Sequence, residues 1–320
     1  MIALLILVLL VAAIVGGLVL FTYRTTRKVE EAAPPAGRFV DVPGAKLHVV
    51  EGGQQGPTLL LIHGLGGQLS NFTYGVFDLL AAKHRVVAVD RPGSGYSTRA
   101  TSTSAALGAQ ADALAALIDV LKLDRPVVVG HSLGGAVALA LAQRHPEHVA
   151  GLALVAPLTH VADVPPVFRG LLIAKPWLRT LVAWTLAAPL TIAKGDETLA
   201  QVFGPEQAPH DFATRGGGLL SLRPGHFIAA CADLVAVPED LPMMVQQYGS
   251  MRLPVSILYG RSDGILDPHG QGDALVAELP GAELTLVDGG HMLPITSPNR
   301  TAQFISEAAE RAWRTTKVDA

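Results

Sequence analysis

Disulfide bonds, a strong charge of either sign and internal repeats are all missing from this chain. Cysteine occurs once, at Cys231, so no internal disulfide and no paired-cysteine metal or redox site is available. A site built from some of the eleven histidines stays open. The 24 Lys and Arg nearly balance the 27 Asp and Glu, giving a net charge of -3. There is thus no global basic field, and nucleic acid is not an expected partner. Charged residues make up 16% of the chain, against about 25% in ordinary soluble proteins. With 50% hydrophobic residues this excludes a disordered chain. No fixed-period repeat or low-complexity tract interrupts the 320 residues, which are ample for a large core.

The apolar excess is partly concentrated at the N-terminus. Residues 1–21 carry no charged side chain. About 20 apolar residues at 1.5 Å each span a hydrocarbon layer of roughly 30 Å. Tyr23, Arg24, Arg27 and Lys28 follow, the aromatic and basic pattern that anchors a span at the headgroups. A cleaved signal peptide would want basic residues before a shorter apolar run. The expectation is therefore a retained single-pass anchor over residues 1–23, then a linker over 24–38 that contains Pro34 and Pro35. Positive charges on the C-terminal side of the span predict a body on the cytoplasmic face.

From residue 39 onward, short apolar runs alternate with helical patterns. TLLLIHG (58–64), HRVVAVD (84–90), PVVVGHS (126–132) and VAGLALVAP (149–157) read as buried strands. LPVSILYG (253–260) and AELTLVDGG (282–290) continue the series. Helical patterns separate them, at 70–82, 104–123, 133–145, 270–278 and 294–313. Such alternation predicts an α/β fold, a mostly parallel sheet flanked by helices. Residues 158–250 hold no clear strand and several helical stretches. The expected division is a core of 39–157 and 251–320, with a helical lid at 158–250.

Gly130-His131-Ser132-Leu133-Gly134 lies between a buried strand and an apolar helix. G-x-S-x-G in that setting places a serine on a sharp, strained turn with its hydroxyl clear of the sheet. A serine hydroxyl needs a base. His291, in DGGHMLP directly after the last strand, is the candidate. The orienting acid should follow a late strand too, and Asp263 ends LPVSILYG-RSD. Asp267 is its rival, but stands before Pro268 where a turn or cap suits it. Anion-stabilising amides are expected from Leu65, in HGLGG, and Leu133. His63 reads as structural, and His145 and His148, at a helix end and a strand start, as surface residues. An outer set could border the substrate: His131, Gly64, Gly66, Arg223 and His226. Of these, His131 is expected to point away along the turn. The buried side of the helix at 221–234 should keep Cys231 inert.

Taken together, HGLGG, DRPGSGYS, GHSLGG, GRSDGILDP and GGHMLPITSP resemble the α/β-hydrolase fold family over roughly residues 39–314. The resemblance implies a Ser132–His291–Asp263 triad, a lid where the insertion stands, and a structural role for Asp90. A serine at the elbow, and not an aspartate, sets aside the dehalogenase and epoxide-hydrolase branches. The apolar anchor adds a likeness to membrane-bound monoacylglycerol-lipase-like members. The expected activity is hydrolysis of a carboxylic ester with an apolar acyl group, the substrate being a small molecule or a lipid. This chemistry requires no cofactor and no metal. The same triad also serves carbon–carbon, thioester and amide hydrolysis, with perhydrolase activity as a side reaction. A catalytically silent, membrane-tethered interaction protein is the reading from another class, and it predicts a missing triad member. The sequence does not fix the oligomeric state.

Overall fold

A computed structural model describes residues 1–318. Helix α1 (Ile2–Ala32) leads into strands β1 (Arg38–Val42), β2 (Ala45–Gly52) and β3 (Thr58–Ile62). Two short helices, α2 (Ser70–Thr73) and α3 (Val76–Ala81), precede β4 (Arg85–Val89) and the brief β5 (Thr98–Arg99). Then come α4 (Leu107–Val120), β6 (Val127–His131), α5 (Leu133–Arg144) and β7 (Gly151–Val155). Between β7 and β8 (Val255–Gly260) lie α6 (Pro176–Val182), α7 (Ala188–Ala193), α8 (Gly195–Phe203) and α9 (Pro224–Val245). The chain closes with α10 (Ala274–Glu278), β9 (Ala282–Val287), α11 (Leu293–Thr296) and α12 (Pro298–Val318).

The strands form one sheet in the order β1-β2-β4-β3-β6-β7-β8-β9, with β5 paired to β2. Pairs from β4 through β9 are parallel, while β2 runs antiparallel to β1, β4 and β5. Parallel strands covered on both faces must be apolar throughout, and β6 and β7 are buried at every position. One face packs on α4 and α5, where Leu114, Leu117, Val137 and Leu141 are fully buried. The other packs on α3 and α12 through Leu80, Phe77, Ile305 and Ala309. All carboxyl ends of the parallel strands point to one edge, where loops gather.

The insertion between β7 and β8 contains only helical elements, as expected for 158–250. Its longest helix, α9, starts with Pro224 at its first position, where a missing N–H costs nothing. The expected helix at 70–82 is split, because the chain turns at Tyr74 and Gly75.

The linker expected at 24–38 needs correction. Helix α1 continues unbroken through residues 24–32, because Arg, Lys, Glu and Ala there are good helix formers and the first proline comes only at 34. Residues up to Phe21 are exposed except for half-buried Leu18, but Thr22 and Val29 are buried. This second half of α1 packs against the helical insertion at Ala183–Ala187, at Gly218–Leu222 and at α7. Glu30 pairs with Arg223 at 3.1 Å, and Tyr96 Oη donates to Ala33 O at 2.5 Å. Ala36, just past the helix, accepts from His48 Nε2, while His48 Nδ1 donates to Asp90 Oδ2 at 2.7 Å. The strap after α1 is thus clasped to the sheet.

Candidate active site

Strand β6 delivers Ser132 to the carboxyl edge. Its backbone sits at φ 54°, ψ -122°, a conformation non-glycine residues rarely hold. Two things hold it there: Ser132 N donates to Val155 O at 3.1 Å, and Leu158 N donates to Ser132 O at 2.9 Å. The turn is possible because Gly130 has no Cβ, which would lie 2.5 Å from Gly134 O. Leu133 opens α5, so its amide is among those without a partner inside the helix.

The loop after β8 supplies Asp263 and the loop after β9 supplies His291. His291 Nδ1 donates to Asp263 Oδ2 at 2.8 Å, and both side chains are almost fully buried. Asp263 Oδ1 accepts from the amides of Ile265 (2.8 Å) and Leu266 (3.0 Å), which fixes the carboxylate plane. With Nδ1–H committed to Asp263, Nε2 of a neutral His291 carries the lone pair. Asp267 instead accepts from the amides of His269 and Gly270, capping the turn that follows. Two of the three expected residues are therefore hydrogen-bonded together. Among the described residues no side chain hydrogen-bonds Ser132 Oγ; such contacts often tighten only when substrate binds.

His131 does not point away. Its ring stands 5.0 Å from the ring of His291, and its Nε2 donates to His291 O at 3.0 Å. Burial, and then the neighbouring His291, push its pKa down to about 3, so the ring is neutral. It is a buried support for the His291 loop and is not part of the cavity lining described below. Glu206, from the lid, adds a second support by accepting from Gly290 N at 3.1 Å.

A cavity of about 110 Å³ opens at Ser132. Leu65 and Leu133 border it beside the serine, and Leu158, Phe168, Leu234 and Val237 supply apolar wall. Asp163 is the one charged residue in its lining. Gly64 adjoins Ser132, a Cβ there falling 2.9 Å from the serine's Cβ, whereas Gly66, Arg223 and His226 are not in the cavity lining. Gly66 O accepts from His226 Nε2 at 3.0 Å, and Gly64 O accepts from Arg91 at 3.0 Å and from His63 Nδ1 at 2.9 Å. Arg223 stacks over Tyr96 at 4.5 Å and reaches Glu30 and Gly95 O. Residues on α9 that do reach the cavity come two and three turns later, at Leu234, Val237 and Pro238.

Arg91 was not singled out by its motif, yet it ties the site together. It is fully buried. Its guanidinium donates to His63 O (3.0 Å), Gly64 O (3.0 Å), Gln110 Oε1 (2.7 Å) and Asp233 Oδ2 (2.7 Å). Arg99 meets the other oxygen of Asp233 at 2.8 Å. The loop bearing Leu65 is thereby joined to lid helix α9. The signal available in sequence was a lone carboxylate, Asp233, within the apolar run of α9. Asp90 is structural as expected, accepting from Leu69 N, Tyr96 N and His48. Cys231 is buried, and burial raises its thiol pKa to about 11, so it stays protonated.

Comparison with known proteins places this geometry in a family. The profile of the alpha/beta hydrolase fold matches residues 57–298. An uncharacterized protein of Mycobacterium tuberculosis is 30% identical over 302 residues, covering 92% of this chain and 86% of that one. The 2-hydroxy-6-oxononadienedioate/2-hydroxy-6-oxononatrienedioate hydrolase 2 of Pseudomonas putida is 29% identical over 252 residues, covering 77% and 85%. In fold the chain is similar to the crystal structure of a membrane phospholipase A, a bacterial virulence factor. The TM-score is 0.67 at 24% identity, over 98% of this chain and 99% of that one. The chain belongs to the alpha/beta hydrolase fold family and is a hydrolase.

Proposed function

We propose that this hydrolase cleaves carboxylic esters with an apolar acyl group, using Ser132 as nucleophile, His291 as base and Asp263 as orienting acid. The observation that carries the reading is the buried His291–Asp263 pair, 2.8 Å apart, at the strand edge where strained Ser132 opens on an apolar cavity. Ser132 Oγ attacks the acyl carbon while His291 Nε2 takes its proton. The amides of Leu65 and Leu133 hold the negative oxygen of the tetrahedral intermediate. The intermediate collapses to the acyl-enzyme as His291 returns the proton to the leaving alcohol. Water, deprotonated by His291, then attacks the ester carbonyl, and Ser132 leaves with its proton restored. Asp263 holds the imidazole in the tautomer this requires and stabilises the imidazolium. Arg91 acts through the loop it holds, keeping the Leu65 amide in place.

The exposed apolar half of α1 is the membrane anchor of this reading, with hydropathy high enough to cross a bilayer. The lid adds exposed Trp177, Leu181, Leu190 and Ile192 near basic Arg169 and Lys175, a composition suited to the bilayer interface. The substrate then comes from, or near, the membrane, with the body on the cytoplasmic side. Carbon–carbon cleavage is the second reading, favoured by the name of the Pseudomonas putida relative. The nearly all-apolar wall argues for the ester reading, since a dianionic substrate would need cationic partners there. A panel of p-nitrophenyl esters separates them. Each buried methylene is worth about 0.8 kcal/mol, so two or three added acyl carbons should raise kcat/KM by roughly ten- to a hundredfold. A flat or falling series from acetate to octanoate, measured below micelle concentrations, would overturn the apolar-acyl assignment.

A further inference from the structure

The end of α5 opposite Ser132 carries an arrangement the hydrolase chemistry does not use. His145 ends α5, and Pro146–His148 forms a single 3-10 turn after it. A 3-10 turn has three residues, so side chains three apart fall on the same side. His145 and His148 accordingly face one another, ring centroids 5.7 Å apart. Their Nδ1 atoms lie 3.9 and 2.9 Å from the same Glu147 oxygen. Ligand atoms from the three residues all fall within 4.8 Å of one another.

Both outer nitrogens are engaged by carboxylates of a different helix. His145 Nε2 donates to Asp112 Oδ1 at 2.8 Å, and His148 Nε2 donates to Asp119 Oδ1 at 3.0 Å. Both aspartates lie on α4, seven residues apart, on one face. Arg144 fixes Asp112 with two bonds of 2.8 and 2.9 Å. An ionised carboxylate only accepts, so each Nε2 holds a hydrogen and neutral His145 presents its Nδ1 lone pair inward. His148 Nδ1 donates to Glu147 Oε1 at 2.9 Å, and an ion would replace that proton, so that two imidazole nitrogens and a carboxylate oxygen converge on one point. Carboxylates behind the far nitrogens of metal-binding histidines fix the tautomer and the ring orientation in just this way.

We infer that His145 Nδ1, His148 Nδ1 and the Glu147 carboxylate form a surface site for a divalent transition-metal ion, zinc best of all, with Asp112 and Asp119 as the orienting outer shell. Two imidazoles and one carboxylate are a common zinc donor set, and water completes the tetrahedron. Bonds of about 2.0–2.1 Å require the three donors to draw together slightly, which the part-exposed Glu147 permits. The ion would cross-link the end of α5 to α4 through the aspartates. At about 1.5 Å per residue the twelve-residue helix α5 keeps it roughly 18 Å from Ser132, so its role is structural or regulatory and it takes no part in acyl transfer. The inference is independent of the ester assignment.

The test is titration of the full-length, detergent-solubilised protein, purified without a histidine tag, with zinc chloride against a chromophoric chelator. Cobalt(II) absorption in the visible serves as a second probe of tetrahedral coordination. One equivalent should bind, with affinity lowered at least tenfold by His148→Gln and by Glu147→Gln. Asp119→Asn, which leaves all three ligands in place, should lower it by about ten- to a hundredfold. His269→Gln should change nothing, because its 2.6 Å pair with Asp273 has a single imidazole. Zinc should also raise the Tm of the wild-type chain and not that of His148→Gln, whose ester hydrolysis should match wild type. No saturable binding, or binding that survives both ligand substitutions, would overturn the site.

Discussion

The sheet and the lid solve different problems with the same apolar alphabet. Within the sheet, β6 and β7 bury every residue, and each strand end has a fixed register to its neighbour. A group placed there is held to a fraction of an ångström, because close-packed interiors do not yield gradually. Ser132, Asp263 and His291 all stand just beyond such strand ends. In the lid, α6 has no buried residue, and Trp177 and Leu181 are 63% and 47% exposed. Short helices that expose their apolar faces are loosely determined by the core and can adapt to what lies outside. The three proposed reactive groups therefore stand on the rigid half, while the cavity wall is shared with the adaptable half.

If the rigid half carries the chemistry, the largest effects should come from strand-end substitutions. Asp263→Asn should lower kcat by about 10⁴, because an amide holds the wrong imidazole tautomer and cannot stabilise imidazolium. Asp267→Asn should cost less than tenfold, since that carboxylate only caps a turn. Ester hydrolysis rates for the two variants decide between them, and the reverse ranking would mean the wrong acid had been assigned.

Next in size is the joint between the halves. Arg91→Met leaves Asp233 buried with Arg99 as its remaining cation. Removing one partner of a buried ion pair costs about 3–5 kcal/mol. Denaturant midpoints should therefore fall strongly, and hydrolysis should fall further than stability alone explains, because His63 O loses its guanidinium donor and Gly64 O keeps only its other donors. Unchanged midpoints would show that sheet and lid are not joined there.

The smallest of these effects concerns the anchor. Removing residues 1–20 takes away only exposed helix and should preserve folding and short-ester activity. Removing residues 1–32 also strips Val29 from the lid and Glu30 from Arg223. Burial of a valine is worth about 1.5–3 kcal/mol, so the longer truncation should melt several degrees lower. Equal Tm values would restore the independence that a linker would have given.

What could be read from sequence follows the same division. The placement of Ser132, His291 and Asp263 at one sheet edge was legible because each follows an apolar run with strand character, and strand ends share one edge. The cap at Asp267 was legible from local turn chemistry, and the structural Asp90 from the family resemblance. Arg223 and His226 were misplaced because periodicity gives the faces of a helix without saying which face meets the cavity. On α9 that face belongs to Leu234, Val237 and Pro238. Arg91 and Glu206 were missed for another reason, each acting through a partner 80 or more residues away; only the lone carboxylate of Asp233 in an apolar run hinted at the first of these pairs. The end of α1 was drawn too early because the prolines at 34 and 35 were given more weight than the helix-forming residues before them.

Covalent labelling tests the central claim most directly. A fluorophosphonate, incubated with the full-length protein and followed by peptide mass spectrometry, reports which hydroxyl is activated. One equivalent is expected on the peptide containing Ser132, with loss of labelling in Ser132→Ala while the fold stays intact, and loss of ester hydrolysis in step. Persistent labelling and hydrolysis in Ser132→Ala, or a label on any other residue that accounts for the lost activity, would contradict it.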